Sequence, residues 1–85
     1  MTSSRSLQVI ANEINADWHA QGKATGFAAA RPYLQAMKHL HSMSDSYGMD
    51  SAKSIVNYFL ANAGTWRGEV ARRIKNELKR MAEGA

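Results

Sequence analysis

The fold is decided by residues 51–64, which read SAKSIVNYFLANAG. Apolar residues recur in this stretch at spacings of three and four, as they do on one face of an α-helix. Asp50 or Ser51 is expected to cap the helix, because a side-chain oxygen there can accept from the free amides of the first turn. Gly64 is expected to end it. The apolar stripe comprises Ala52, Ile55, Val56, Phe59, Leu60 and Ala63.

The following residues predict another amphipathic helix from about Trp66 to Ala82, capped by Thr65. With only Gly64 and Thr65 between them, the two helices are expected to form a tight C-terminal helical hairpin. The apolar stripe of the last helix comprises Trp66, Val70, Ile74, Leu78 and Met81, whereas Arg72, Lys75 and Lys79 lie on the opposite side, with Arg73 and Arg80 on one flank. Arg73 and Glu77 are expected to pair across one turn.

Two further helices are predicted in the first half of the chain. One runs from about Ser6 to Gln21, with Leu7, Ile10, Ile14 and Trp18 on one stripe. Ser3, Ser4 or Ser6 can cap its start and Gly22 can end it. After a turn in residues 23–31, a second begins with Pro32, whose missing amide hydrogen costs nothing at that position. Ser42 to Tyr47 is predicted to be a loop, with Tyr47 and Met49 folding back onto the core.

These segments predict an all-α protein, a compact four-helix domain with a C-terminal helical hairpin, in which residues 1–85 form a single domain. A chain of 85 residues can bury one modest core, and a deep enclosed pocket beside it is not expected. The predicted core comprises Leu7, Ile10, Ile14, Trp18, Leu34, Met37, Leu40, Ile55, Phe59, Leu60, Trp66, Ile74 and Leu78.

The residue types argue against catalysis and metal binding. There is no cysteine, and His39 and His41 are two residues apart, so on a helix they point in nearly opposite directions. We expect a partly buried His41 and two solvated histidines. The serines suffice as caps and turn formers. We therefore predict no enzymatic activity, no catalytic residue, no metal, no cofactor and no small-molecule substrate.

Charge and hydropathy bound the location and the partners. No apolar run approaches the roughly 20 residues that span a membrane, and residues 1–6 are polar, unlike a signal peptide, so a cytoplasmic location and no membrane contact are expected. The net charge is +4. Residues 61–85 hold six Lys/Arg against three Asp/Glu, whereas residues 1–60 hold five against four. The C-terminal segment is therefore expected to attract nucleic acid or an acidic protein surface.

The last two predicted helices resemble a helix-turn-helix in outline, with Gly64 in the turn. A small DNA-binding regulator would present Arg67, Arg72 and Lys75 to a groove and its phosphates. Arg73 departs from this pattern because it falls near an expected apolar position. Two alternatives are a solvated basic face that only keeps a small protein soluble, and a structural or oligomerising helical module.

Several stretches of the chain resemble a group of small proteins encoded in phages and prophages. They are Ile10 to Ile14, Asp17-Trp18, Arg31-Pro32-Tyr33-Leu34 with Ala36-Met37, Tyr47-Gly48 with Asp50-Ser51, Tyr58-Phe59-Leu60-Ala61-Asn62-Ala63, Thr65-Trp66-Arg67-Gly68-Glu69, Ala71-Arg72-Arg73-Ile74-Lys75 and Glu77-Leu78-Lys79. Small phage-encoded helical proteins of this size include anti-CRISPR inhibitors, which bind a CRISPR effector and block it. The resemblance implies an inhibitor acting on a protein or ribonucleoprotein complex in the cytoplasm of a host bacterium, and it transfers no catalytic residue.

The expected partner contacts come from exposed residues of the basic helix. They are Arg67, Arg72, Lys75, Lys79 and Arg80, with Asp17 and Tyr47 as further candidates. An inhibitor that imitates DNA over its whole surface must be acidic, and this chain is basic. The expected contact is therefore an acidic protein surface or a nucleic acid, and Glu13 and Asp17 leave room for only a small acidic patch.

Overall fold

The computed structural model describes residues 5–22 and 28–84. Within these ranges the protein is mostly helical, as predicted, with helices α1 (Leu7–Ala20), α2 (Arg31–Met37), α3 (Ala52–Asn62) and α4 (Glu69–Glu83). Strands β1 (Ser46–Tyr47) and β2 (Asp50–Ser51), which the sequence did not predict, lie between α2 and α3. None of the described helices is long and apolar enough to cross a membrane. Of the predicted turn at 23–31, residues 23–27 lie outside the described residues.

Serine side chains begin two of the helices as the sequence predicted. The Ser6 hydroxyl accepts from the Val9 amide at 3.1 Å, and the Ser51 hydroxyl accepts from the Ser54 amide at 3.1 Å. Each bond satisfies one of the amides that a first helical turn leaves without a partner. These caps fix where α1 and α3 start, and α3 then presents Phe59 to the interior.

The connection between α3 and α4 differs from the prediction. Helix α3 ends at Asn62 and α4 begins only at Glu69, so Gly64 and Thr65 are neither the immediate stop nor the cap. Trp66 lies in the six-residue connection, where its side chain is fully buried. Because a non-helical path carries this indole into the core, the connection is longer than the two-residue joint predicted.

Three aromatic rings from three parts of the chain meet at the centre of the core. Trp18 of α1 stacks on Phe59 of α3 with 6.3 Å between ring centroids. The Trp66 ring meets both edge-on, each at 6.1 Å. The predicted core is confirmed at every position except Leu60, which is only partly buried. The cluster therefore attaches the residue 63–68 connection to the helices.

Part of the segment between α2 and α3 forms a small β-hairpin instead of a loop that folds back onto the core. Ser46 pairs with Ser51 and Tyr47 with Asp50, with Gly48 at a φ of 63° in the turn. Tyr47 is 45% exposed and Met49 fully exposed, so the prediction that both fold onto the core is wrong. The Tyr47 ring instead stacks on the His39 ring, with 5.7 Å between the ring centroids.

The histidines also differ from the prediction at one position. His41 is exposed rather than partly buried, and His19 and His39 are exposed as expected. Within the described ranges, no group of three or more His, Cys, Asp or Glu residues is placed to hold a metal ion.

Candidate functional site: a cationic groove along helix α4

One side of helix α4 lines a concave surface that is rich in positive charge. It is an open groove with a volume of about 630 Å³ and is called the α4 groove below. Its lining comprises Trp66, Arg67, Gly68, Glu69, Ala71, Arg72, Lys75, Asn76 and Lys79. Four of these residues are cationic and one is acidic. The groove continues toward α3 in a second cavity of about 270 Å³, which shares Lys79 and adds Lys53, Asn57, Ala82 and Glu83.

The structure brings together four of the seven residues that the sequence singled out. Arg67, Arg72, Lys75 and Lys79 share the α4 groove. Arg80 instead lines a separate cavity beside Arg5, His41 and the loop after α2. Tyr47 lies on the β-hairpin and Asp17 on α1. A face defined by charge alone is therefore divided into two surfaces by the helical rotation between residues 79 and 80.

Lys75 is the least exposed cation of the α4 groove. Its Nζ atom donates to the Trp66 carbonyl oxygen at 2.7 Å and lies 5.7 Å from the centroid of the Trp66 ring. Partial burial, together with repulsion from the charges of Lys79 and Arg67, lowers the pKa of Lys75 below its ordinary value. An anion in the groove would offset both effects, so the surroundings of Lys75 favour an anionic ligand.

Asp17 has a structural contact at one end of the groove. Its Oδ2 atom accepts from the Trp66 indole nitrogen at 2.7 Å and from the side-chain nitrogen Nε2 of Gln21 at 2.6 Å. The same Gln21 nitrogen donates to the Arg67 carbonyl oxygen at 3.1 Å. These bonds attach α1 to the connection that carries Trp66 and Arg67. Because Asp17 is 49 residues from Trp66 along the chain, no local sequence signal indicates this arrangement.

A separate ion-pair network occupies two of the protein's acids. Arg5 binds Glu13 at 2.7 Å and Glu77 at 2.7 Å, and Arg73 also binds Glu13. The predicted pair between Arg73 and Glu77 is therefore wrong, because each side chain takes a partner outside α4. Glu13 is paired with two arginines and so does not form an acidic patch that could bind a partner. Within residues 5–22 and 28–84, no salt bridge engages the four cations of the α4 groove.

The network predicts a pH dependence of stability. Hydrogen bonds from Arg73 and Arg5 lower the pKa of Glu13. A carboxyl group whose pKa falls on folding stabilises the protein above its unfolded pKa of about 4.3, and the contribution is lost as pH falls through the lower folded value. We expect the free energy of unfolding, measured by urea denaturation, to fall as the pH is lowered from the unfolded pKa of Glu13 through its folded pKa. The fall should be less steep in Glu13→Gln.

A matched control removes the same charge from the exposed end of α4. Glu83→Gln should keep the slope of the original protein in this pH window, because Glu83 is exposed and takes no part in the network. An equally steep decline in Glu13→Gln and the original protein would contradict the role given to Glu13.

Comparison of the chain with protein-family models, with curated protein sequences and with solved structures gave no match. The α4 groove is therefore interpreted from its own geometry and charge. Four cations on one concave surface can bind an anion through charge-assisted hydrogen bonds.

Proposed function

We propose that the protein is a phage- or mobile-element-encoded inhibitor that binds a host macromolecular complex. The candidate complex is a CRISPR effector. The phage assignment comes from the sequence resemblance. The supporting observation in the structure is the α4 groove, in which Arg67, Arg72, Lys75 and Lys79 share one surface without an internal salt bridge in the described ranges. Such cations increase the rate of capture of an anionic surface and set its register.

The placement of the groove supports binding with little rearrangement. Arg72 and Lys79 project from α4, whose other side is packed into the core through Ile74 and Leu78. Arg67 follows Trp66, whose indole is held by the core rings and by Asp17. A rigid scaffold limits the entropy lost when the cations meet a partner, and so favours affinity.

A small DNA-binding regulator is the alternative, favoured by the same exposed cations on α4. It would use α3 and α4 as a helical hairpin and place α4 in the major groove. A helix-turn-helix joins its helices through a turn of 3–4 residues. Residues 63–68 make a longer connection here. Because the connection is longer than that of a helix-turn-helix, we prefer the inhibitor proposal to the DNA-binding regulator.

The test is affinity capture from a lysate of a bacterium that carries the gene, with and without nuclease treatment. The groove variant is Arg72→Glu with Lys79→Glu, because both side chains are exposed. Lys75 is left unchanged, since a carboxylate there would face the Trp66 carbonyl oxygen. We expect the original protein to capture a specific complex. The groove variant should capture at least about ten times less of it, because two contacts of about 1 kcal/mol or more each are lost.

The control for net charge is Arg80→Glu with Lys38→Glu, which changes the charge equally outside the α4 groove. It should retain the complex. The captured complex is then identified, and its activity is measured as the protein is added. Equal capture by the groove variant, or full activity of the complex at saturation, would reject the proposal.

A further inference from the structure

We infer that the α4 groove binds the sugar–phosphate backbone of double-stranded nucleic acid and does not read its bases. The inference rests on the proposed function, because it names the chemistry that the groove meets in the host complex. Three features support it: the spacing of the cations, the kinds of donor in the groove, and the burial of its aromatic residue.

The cations are spaced regularly along α4. Arg72, Lys75 and Lys79 lie on successive turns of one side, and the helical rise of about 1.5 Å per residue separates the first from the last by about 10.5 Å along the axis. Phosphates of one duplex strand recur about every 3.4 Å along the duplex axis. The row of cations therefore extends over about three phosphates. A polyanion with a regular repeat suits such a row better than the irregularly placed carboxylates of a folded acidic protein.

The donors in the groove also suit phosphate. Arg67 and Arg72 carry planar guanidinium groups, which can bind phosphate oxygens through two parallel hydrogen bonds. Asn76 in the groove and Asn57 in its continuation add neutral amide donors of the kind that contact phosphate and sugar. The acids of the two cavities, Glu69 and Glu83, are the first and last residues of α4. The length of helix between them is free of acids on this side.

The burial of Trp66 favours a duplex over a single strand. Proteins that bind single strands combine a basic groove with aromatic faces on which bases stack. Trp66 is the one aromatic residue in the described lining of the α4 groove, and it has no exposed surface. Its ring packs against Trp18 and Phe59 instead. Unstacked bases therefore find no aromatic platform in this groove, whereas a duplex keeps its base faces stacked inside and carries a phosphate backbone along each strand.

The proposal is tested by fluorescence anisotropy with labelled duplex DNA of about 20 base pairs in two unrelated sequences, its single strand, and a polyglutamate peptide. Salt is set at about 50 mM and about 200 mM. We expect both duplexes to bind with similar Kd and more tightly than the other two probes. Three to four phosphate contacts predict a log–log salt slope of about −3, and so a loss of about 40- to 150-fold between the two salt concentrations.

The variants locate the binding surface. Arg72→Glu with Lys79→Glu should weaken duplex binding at least about tenfold and reduce the salt slope by about two units, because two phosphate contacts are lost. Arg80→Glu with Lys38→Glu should bind close to the original protein, and thermal melting should show that both variants fold. The absence of duplex binding at the lower salt concentration, tighter binding of the single strand or of polyglutamate, or a preference above about 100-fold between the duplex sequences would each overturn the inference.

Failure of the inference is separable from failure of the proposed function. If duplex binding is absent but a nuclease-resistant complex is captured, is lost with the groove variant and is inhibited, the inference fails and the inhibitor proposal stands. If duplex binding behaves as expected but no captured complex is inhibited, the inference stands and the inhibitor proposal fails.

Discussion

Replacing Phe59 with alanine should lower the free energy of unfolding by about 3–5 kcal/mol. The Phe59 side chain is fully buried and contacts both tryptophan rings, stacked on Trp18 and edge-on to Trp66. Removing it loses the transfer free energy of the ring and leaves a cavity that these large neighbours cannot easily fill. The loss is large because a single residue joins α1, α3 and the connection to α4.

A domain of this size has a total stability of about 5 kcal/mol. Phe59→Ala should therefore keep only about 0–2 kcal/mol, so that at the upper end of the loss about half of the molecules are unfolded at room temperature without urea. Urea denaturation followed by circular dichroism would measure this loss. The matched control is Tyr58→Ala on the same helix. Tyr58 is 52% exposed, and its ring centroid lies 5.5 Å from that of Tyr33. Its replacement should therefore lower the free energy of unfolding by about 1 kcal/mol or less. Equal costs for the two substitutions would show that Phe59 does not hold the core together.

The helices and most of the core followed from sequence because one physical preference determined them. Apolar residues at spacings of three and four must share a buried face, and this rule placed Ile10, Ile14, Phe59 and Leu78 in the interior. The serine caps were predictable for a similar reason, because Ser6 and Ser51 need only reach amides three residues away. Signals of this range are contained within a single helix.

The α3–α4 connection could not be predicted in the same way. Gly64 and Thr65 are sound local signals for a helix end and a helix start, yet both were overruled by the burial of Trp66. That burial depends on rings from α1 and α3, and on Asp17, which accepts from the indole nitrogen. Tertiary packing of a large side chain outweighs a cap, which is worth about 1 kcal/mol.

The candidate site was predictable in part for related reasons. The helical wheel placed Arg72, Lys75 and Lys79 on one side of α4, and they share the α4 groove. Nothing in the sequence indicated that Arg80 would line another cavity, or that Arg5 would pair with Glu77, 72 residues away. Charge patterning gives the side of a helix, but the neighbouring elements decide which cations are neutralised and which remain available.

Trp66 links the stability of the protein to the geometry of its groove. Its ring belongs to the core, its carbonyl oxygen accepts from Lys75, and its indole nitrogen is held by Asp17. The backbone that follows it must then turn sharply into α4. Gly68 makes that turn with a φ of 115° and a ψ of 179°, a conformation that side chains with a Cβ atom rarely adopt.

Replacing Gly68 with alanine should therefore destabilise the protein by about 1–3 kcal/mol. The cost comes from the backbone and not from a clash, because an added Cβ atom would meet only the side-chain nitrogen Nε2 of Gln21, at 3.9 Å. Gly64→Ala is the matched control. Gly64 lies in the same connection, its φ is not positive, and an added Cβ would meet nothing within 4 Å. That substitution should be neutral, or stabilising by about 0.4–1 kcal/mol through the unfolded chain.

The Gly68→Ala substitution should also weaken duplex binding under conditions in which the protein stays folded. Alanine at residue 68 would strain the backbone, and relief of that strain would shift the start of α4. Arg72 would then move relative to Arg67 across the α4 groove. Urea denaturation measures the loss of stability, and fluorescence anisotropy at about 50 mM salt measures the loss of duplex affinity. A Gly68→Ala protein as stable as Gly64→Ala would contradict the left-handed backbone at residue 68. Lost stability with unchanged duplex affinity would show that the groove does not depend on this turn.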